Sequence, residues 1–416
     1  MILFDGMKLI DGGVCAAKGF AASGIAAGIK SGASSGNKDV ALICCEKVCN
    51  AAAVFTTNKV KGAPVRVSMR NVNDGKLQAV IANSGNSNVC TSDGLEVAEG
   101  MCAITANALK IAKENVLVAS TGVIGQNLPI EPFKTAIPHL ARQLNYSCVG
   151  SKSAAEAIMT TDTFPKEFAV EFELDGKVCR IGGIAKGSGM INPNMATLLS
   201  FITTDVNVSA EVLRKALVEI NEETFNMVSV DGDTSTSDTV CIMASGLAGN
   251  TEIIADCEDY QTFCTALCMV MNNLATSLVR DGEGATKLIT CNVRTAPDMK
   301  TARAVAKSIV SSSLVKAALG AADANWGRIL CAIGYADTDT EFDVSKIDVT
   351  LIAPGAMIPV CVGGIGVAFS EDEAYKALQN NEIFIAVEMN SGSEAAVAWG
   401  CDLTEEYVRI NADYRS

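Results

Sequence analysis

The period of the hydrophobic positions changes several times along the 416 residues. Apolar runs at 40–46 (VALICCE), 51–56 (AAAVFT) and 77–83 (LQAVIAN), bounded by polar turns, predict buried strands. The segment 63–72 (APVRVSMRNV) alternates and reads either as a half-exposed strand or as the start of a helix. From Ser92 the spacing turns helical, with Val97, Met101, Ile104 and Ala108 on one face behind a cap at Ser92 or Asp93. A strand at 115–119 follows, then a helix whose apolar face carries Phe133, Ile137, Leu140 and Leu144, and a short helix at 151–159 that leaves Thr160 at its end. Runs at 167–174 and 177–184 flank Asp175-Gly176, a strong two-residue hairpin signal. In the second half, 198–202 is a buried strand and Ser209 caps a helix that turns Val212, Leu213, Ala216, Leu217 and Ile220 inward. A strand at 240–244 and a long helix at 261–279 come next. The spacing then predicts a helix over 300–320, a loop into a strand through AADANWGRILCAIG, strands near 349–352 and 384–388, and a helix at 371–378. Strands and helices mix in both halves, which predicts a mixed α/β or α+β fold, and the length suggests two domains or two large lobes.

Composition narrows the function. A hydrophobic share of 49% with 19% charged residues describes a well-buried chain. A net charge of −14 disfavours partners with phosphate backbones and anionic membrane surfaces. The opening residues, MILFDGMKLIDGG, lack the basic stretch of a signal peptide, and no apolar run approaches a membrane span, so a cytoplasmic protein is expected. None of the 16 cysteines makes a C-x-x-C. Cys44, Cys45 and Cys49 accompany a strand and Cys264 and Cys268 a helical face, so small buried hydrophobes are expected rather than a metal centre. The single histidine, His139, falls off its helix's apolar face and reads as solvated. Imidazole-based triads and multi-histidine metal sites have no other residue to run through. Neither a strand-linked G-x-G-x-x-G nor a G-x-x-x-x-G-K-[ST] occurs, so no nucleotide cofactor is expected.

One stretch carries chemistry: 186–205, KGSGMINPNMATLLSFITTD. A turn rich in Gly, Asn and Pro runs through Ala196 and delivers Thr197 to the first position of a buried strand. Thr197 can simply begin that strand. Its hydroxyl can also attack the Ala196 carbonyl, shift the acyl group from nitrogen to oxygen and lose it to water. The new chain would then start with a free α-amine of pKa about 7.7 to 8.0, a usable base for its own hydroxyl. Upstream, Ser120-Thr121-Gly122 ends a strand, offering a hydroxyl and an unshielded N–H of the kind an oxyanion hole needs, although such a triplet is commonly just a turn. In RDGEGATK, Gly282 and Gly284 leave the Glu283 carboxylate open, either as a solvated helix end or as a binding group. Asp231 and Asp233 match the start of a calcium loop, but Thr236 stands where that loop requires Gly, so a polar turn is the better reading.

The wording of 186–205 closely resembles the self-cleavage segment of the ornithine acetyltransferase family, the ArgJ proteins of arginine biosynthesis, and the resemblance runs from about Gly12 to the last residue. It implies stacked β-sheets covered by helices, of the self-processing N-terminal-nucleophile type. It also implies cleavage between Ala196 and Thr197 into pieces 1–196 and 197–416, assembled as a heterotetramer of two copies of each. Thr197 would be the acetyl-carrying nucleophile, and Thr121 and Gly122 the oxyanion hole. Thr160, Lys186, Thr197, Glu283, Asn411 and Ser416 would bind substrate. Ser416 stands where Thr is more usual and keeps the hydroxyl. The implied reaction moves acetyl from N2-acetylornithine to glutamate without a cofactor. The resemblance leaves open acetyl-CoA as a further donor, and release of the acyl group to water, as in related amidases and aminopeptidases, is the alternative chemistry.

Overall fold

The computed structural model describes residues 4–30, 36–192 and 198–413; Ala196, Thr197 and Ser416 lie outside them. The first sheet contains, in chain order, β1 (Lys8–Ile10), β2 (Phe20–Ile25), β3 (Val40–Phe55), β4 (Lys76–Asn83), β5 (Val116–Ser120), β6 (Lys166–Leu174), β7 (Lys177–Lys186) and β8 (Leu199–Thr204), joined by β10 (Thr239–Ala244). Its spatial order is β1-β6-β7-β8-β10-β3-β4-β5, with β2 also paired to β3. The short β9 (Val228–Ser229) belongs to a second sheet with β11 (Leu288–Ala296), β12 (Asp348–Ala353), β13 (Ala356–Val362), β14 (Ile365–Gly366), β15 (Glu382–Glu388) and β16 (Glu394–Cys401). Between the sheets lies the helix Glu258–Arg280, packed on β6 and β7 to one side and on β16 to the other. By length and composition that helix is able to cross a membrane, yet here Phe263, Leu267, Val270, Met271, Leu274 and Leu278 are buried in the core. The fold is therefore mixed α/β with stacked, helix-covered sheets.

Local chemistry explains the elements that matter for the site. Asp175 and Gly176 both take positive φ, 50° and 65°, which turns β6 into β7 and sends Lys186 to the far end of β7. β8 then runs antiparallel to β7 and parallel to β10, with Leu199 opposite Thr239. Strands from both sides of position 197 thus share one sheet: β8 lies on β7, and β10 on β3. Ser209 caps its helix as expected, its hydroxyl accepting from the Val212 N–H.

Several expectations change. The runs 40–46 and 51–56 are one strand of 16 residues, because the polar residues between them face outward while β2, β4 and β10 pair along its length. The alternating segment at 63–72 is the helix Ala63–Asn71, with Pro64 in its first turn. Neither Ser92 nor Asp93 makes a side-chain cap bond to the helix Gly94–Leu109, although Asp93 holds the capping position. The single helix expected over 300–320 breaks at Ser312, whose hydroxyl caps the second piece. Residues 326–334 form a helix rather than a strand, started by the Asn325 side chain accepting from the Arg328 N–H. His139 is exposed on the helix Glu131–Arg142, as its pattern suggests. All 16 cysteines are free, and burial pushes thiols such as Cys102 and Cys241 up to about 12.

Candidate active site

Where β7 ends, β8 begins and β5 turns outward, a cleft of about 120 Å³ gathers residues from six parts of the chain. Its lining includes Thr121, Gly122, Thr160, Lys186, Asp238, Glu283 and Asn411, with Leu198 at the point where the described chain resumes. The six described residues that the resemblance proposes for the site are therefore in one place. Thr121 and Gly122 follow β5, and their neighbours are fixed: the Thr121 N–H donates to the Asn83 carbonyl at 3.0 Å and the Val123 N–H to the Gly85 carbonyl at 3.3 Å. Among the described residues no acceptor meets the Gly122 N–H. Gly122 has φ of 130°, and a Cβ there would lie 2.4 Å from the Gly85 carbonyl carbon, so only glycine lets the backbone pass. That leaves a hydroxyl and an N–H side by side at the cleft, the elements of an oxyanion hole.

Lys186, the last residue of β7, donates from Nζ to Thr121 Oγ1 at 3.3 Å. Burial lowers its pKa, and the carboxylates of Asp162, Asp238 and Glu283 act against that shift. Glu283 follows the helix Glu258–Arg280 and is only 8% exposed. Its N–H donates to the Ser188 carbonyl at 2.8 Å, and its Oε2 accepts from Asn411 Nδ2 at 2.7 Å. A Cβ on Gly189 would sit 2.3 Å from the same Oε2, so this glycine lets the carboxylate lie against the loop backbone. The helix Glu405–Ala412 contributes Asn411 from the far end of the chain. A cation, a carboxylate, two hydroxyls and a free N–H around so small a space suit a compact ligand of amino-acid size carrying both charges.

Acids that the sequence reading left outside the site hold this arrangement. Asp231 accepts from the N–H groups of Met190 (2.5 Å) and Ile191 (2.9 Å) and from the Tyr407 hydroxyl (3.2 Å), tying the loop after β7 to the C-terminal helix. Beneath the loop, Lys166 Nζ donates to Asp162 Oδ1 at 2.6 Å and to Asp281 Oδ2 at 2.5 Å, with all three side chains almost wholly buried. Asp162 also accepts from the N–H of Thr160 (2.9 Å) and of Gly187 (2.8 Å). Burial pushes the Asp162 carboxyl up, but the ammoniums of Lys166 and Lys186 and the Gly187 N–H outweigh it and hold the pKa near 2. The signal for these acids lay in TTDTFPK, SVDGDTSTSDTV and RDGEGATK, where carboxylates stand among turn formers beside the candidate residues.

A larger cavity of about 640 Å³ opens between the helix Glu258–Arg280 and the second sheet. Its walls include Phe384 and Trp399, and its two arginines are already paired, Arg280 with Glu382 and Arg303 with Glu223. None of the candidate residues reaches it, so the chemistry belongs to the smaller cleft.

Comparison with known proteins gives the family. The model of the ArgJ family matches residues 21–416. The arginine biosynthesis bifunctional protein ArgJ of Caldanaerobacter subterraneus subsp. tengcongensis is 48% identical over 411 residues, covering 99% of this chain and 100% of its own. The protein of the same description from Symbiobacterium thermophilum is 47% identical over 411 residues, again covering 99% of this chain and 100% of its own. Among solved structures, the arginine biosynthesis bifunctional protein ArgJ of Bacillus halodurans is 46% identical and covers 51% of this chain and 98% of its own, with a TM-score of 0.49.

Proposed function

Because the chain belongs to the ArgJ family, we propose that it is the self-cleaving acetyltransferase of arginine biosynthesis that moves an acetyl group from N2-acetylornithine to glutamate. The observation that carries this reading is the convergence of Thr121, Gly122, Lys186, Glu283 and Asn411 on one cleft directly before Leu198, the residue after Thr197. Cleavage after Ala196 frees the Thr197 α-amine, which takes the proton of Oγ as that oxygen attacks the acetyl carbonyl. The oxyanion so formed lies against the Thr121 hydroxyl and the Gly122 N–H, each such donor being worth roughly 3 to 4 kcal/mol in comparable sites. The carbon–nitrogen bond breaks, ornithine leaves with the proton, and the acetyl group remains as an ester on Thr197. The glutamate amine then attacks the ester and regenerates the hydroxyl. Lys186 neutralises the substrate carboxylate, while Glu283, steadied by Asn411, takes the ornithine side-chain ammonium; Thr160 and Ser416 complete the binding set.

Two copies of each piece form the working heterotetramer in this reading, and the cytoplasm is its compartment, in keeping with the 16 unpaired cysteines. No cofactor takes part. We extend the reading to acetyl-CoA as a second donor because the relatives are named bifunctional. The enzyme incubated with glutamate and acetyl-CoA alone should then form N-acetylglutamate, and absence of product would confine it to acetylornithine.

The first test is the mass of the purified protein under denaturing conditions. Two chains are expected, the second beginning TLLSF, in place of one of 43.3 kDa. With acetylornithine, N-acetylglutamate should appear only when glutamate is present. Release of free acetate at the same rate without glutamate would make the protein a hydrolase. Glu283→Ala should still cleave itself, because in this reading Glu283 binds substrate and takes no part in the cut. Its KM for acetylornithine should rise about ten- to a hundredfold, the usual effect of deleting a hydrogen bond to a charged group. An unchanged KM would remove Glu283 from the site.

A further inference from the structure

Two of the 16 cysteines meet across a bulge in β3. Cys44 pairs with Ala79 of β4 and Cys49 with Leu77, so five steps along β3 cover the length of two along β4, about 7 Å. The surplus loops outward as Glu46, Lys47 and Val48, all exposed, while Cys45 and Cys49 close its mouth, each 1% exposed. Cys45 is still held in the sheet, opposite Phe20 of β2, and its carbonyl accepts from Gln78 Nε2 at 3.2 Å. Both cysteines face one side of that sheet, in the core cluster of Phe20, Leu77 and Leu199. Cys44 faces the other, packed with Leu42, Ile81 and Val118, and its thiol donates to the Cys45 carbonyl at 3.3 Å. The two sulfurs on the shared face are hydrogen-bonded to each other. Both are also tied to one residue of the loop: the Lys47 N–H donates to the Cys45 sulfur, and the Cys49 thiol reaches the Lys47 carbonyl at 3.5 Å.

We infer that Cys45 and Cys49 are a peroxide-reactive dithiol, in which Cys45 attacks the oxidant and Cys49 closes a disulfide across the bulge. This site is separate from acetyl transfer and does not depend on it. A disulfide needs Cα atoms about 4.4 to 6.8 Å apart and side chains that point together. The shortened register and the shared face supply both. The roles follow from the hydrogen bonds. The Cys49 thiol lowers the pKa of Cys45 against the effect of burial, with help from the N–H groups of Lys47 and Glu46, while the Glu46 carboxylate opposes it. Cys49 is pushed up by the same bond and by burial, so it keeps its proton until its turn comes. The Cys45 thiolate attacks one oxygen of hydrogen peroxide; the O–O bond breaks, and the hydroxide that leaves takes up the proton Cys45 gave to water. The Cys49 sulfur then attacks the Cys45 sulfur of the sulfenic acid, and its oxygen departs as water with the Cys49 proton. Two thiols lose two electrons in all, and one peroxide becomes two waters. The oxidant has to be small, because each sulfur belongs to a residue only 1% exposed.

The test treats the folded, fully reduced wild type with hydrogen peroxide, alkylates the remaining thiols in denaturant and maps the tryptic peptides by mass. Trypsin cuts after Lys47, so a bond between the two cysteines joins peptide 39–47 to peptide 48–59. The joined pair should form at least about tenfold faster than Cys102 and Cys241 are oxidised, since burial holds those thiols near 12. Dithiothreitol should separate it. Cys44→Ala should form the joined pair as the wild type does, which fixes Cys45 as the partner. In Cys49→Ser the 39–47 peptide should instead carry a sulfenic acid that dimedone traps, and in Cys45→Ser neither peptide should be oxidised. Alkylated, unlinked 39–47 and 48–59 at a peroxide dose that oxidises the exposed Cys90, Cys148, Cys257 and Cys331 would overturn the inference, whether or not the variants fold. Loss of the joined pair in a folded Cys44→Ala would overturn it as well.

Discussion

Thr197→Ala is expected to be recovered as one chain of 43.3 kDa with no measurable acetyl transfer. The methyl group has no oxygen with which to attack the Ala196 carbonyl, so neither the cut nor the acetyl ester can form. Removing a nucleophile of this kind costs a factor on the order of 10⁴ to 10⁶ in turnover. The fold has little reason to change, because the chain on either side of 193–197 is anchored without it. Upstream, Met190 and Ile191 are held by the Asp231 carboxylate, and the Ile191 carbonyl accepts from the Val230 N–H at 2.6 Å. Downstream, the Leu198 carbonyl is bonded to Thr239, and β8 is paired on both edges. Thermal unfolding of the uncut variant should therefore stay close to that of an uncut wild-type precursor. Thr197→Ser separates the requirement for a hydroxyl from one for the β-methyl and should restore both cleavage and transfer. Transfer by Thr197→Ala above about one part in 10³ of the wild-type rate would exceed what a lost nucleophile permits and would remove Thr197 from that role.

The sequence was most legible where structure depends on neighbours. Asp175-Gly176 needs only its own backbone to turn a hairpin, and Ser209 needs only the N–H three residues on to start a helix. Reading failed where a distant partner decides. Polar residues in the middle of β3 looked like a turn until three other strands were set along it. The segment 326–334 looked like a strand because its apolar content outweighed the cap at Asn325. The site divides the same way. Thr121, Gly122, Thr160, Lys186, Glu283 and Asn411 had locally ambiguous wording and were pointed to by the family resemblance of their segments, and the structure brings all of them to one cleft. Lys166 and Asp281 are 115 residues apart, and Met190 and Asp231 are 41 apart, so no local pattern announces either pair. What remained hidden is the scaffold of buried charge that positions the cleft.

That scaffold yields the second large effect. Lys166→Met keeps the volume of the side chain but removes the ammonium shared by Asp162 and Asp281. Breaking a buried ion pair on one side typically costs about 3 to 5 kcal/mol, because the carboxylates left behind remain desolvated. Denaturant unfolding at pH 7 should show a loss of that size. The pH dependence identifies the cause. In the native protein the Asp162 pKa is depressed to about 2, so its contribution is complete above the unfolded value of about 3.9 and is lost as the pH falls from there toward 2. In Lys166→Met the sign reverses: burial without its main cation favours the protonated acid, so acidification relieves the variant while it begins to weaken the wild type. The stability gap should therefore be widest near neutrality and narrow as the pH approaches 4. A gap independent of pH would mean that lost packing, including the contact of Lys166 Nζ 4.9 Å above the Phe164 ring, accounts for the effect. Because Asp162 also holds the N–H groups of Thr160 and Gly187, the same variant should bind acetylornithine more weakly at a pH where it remains folded. Buried charge here sets both how stable the fold is and where the cleft's walls stand.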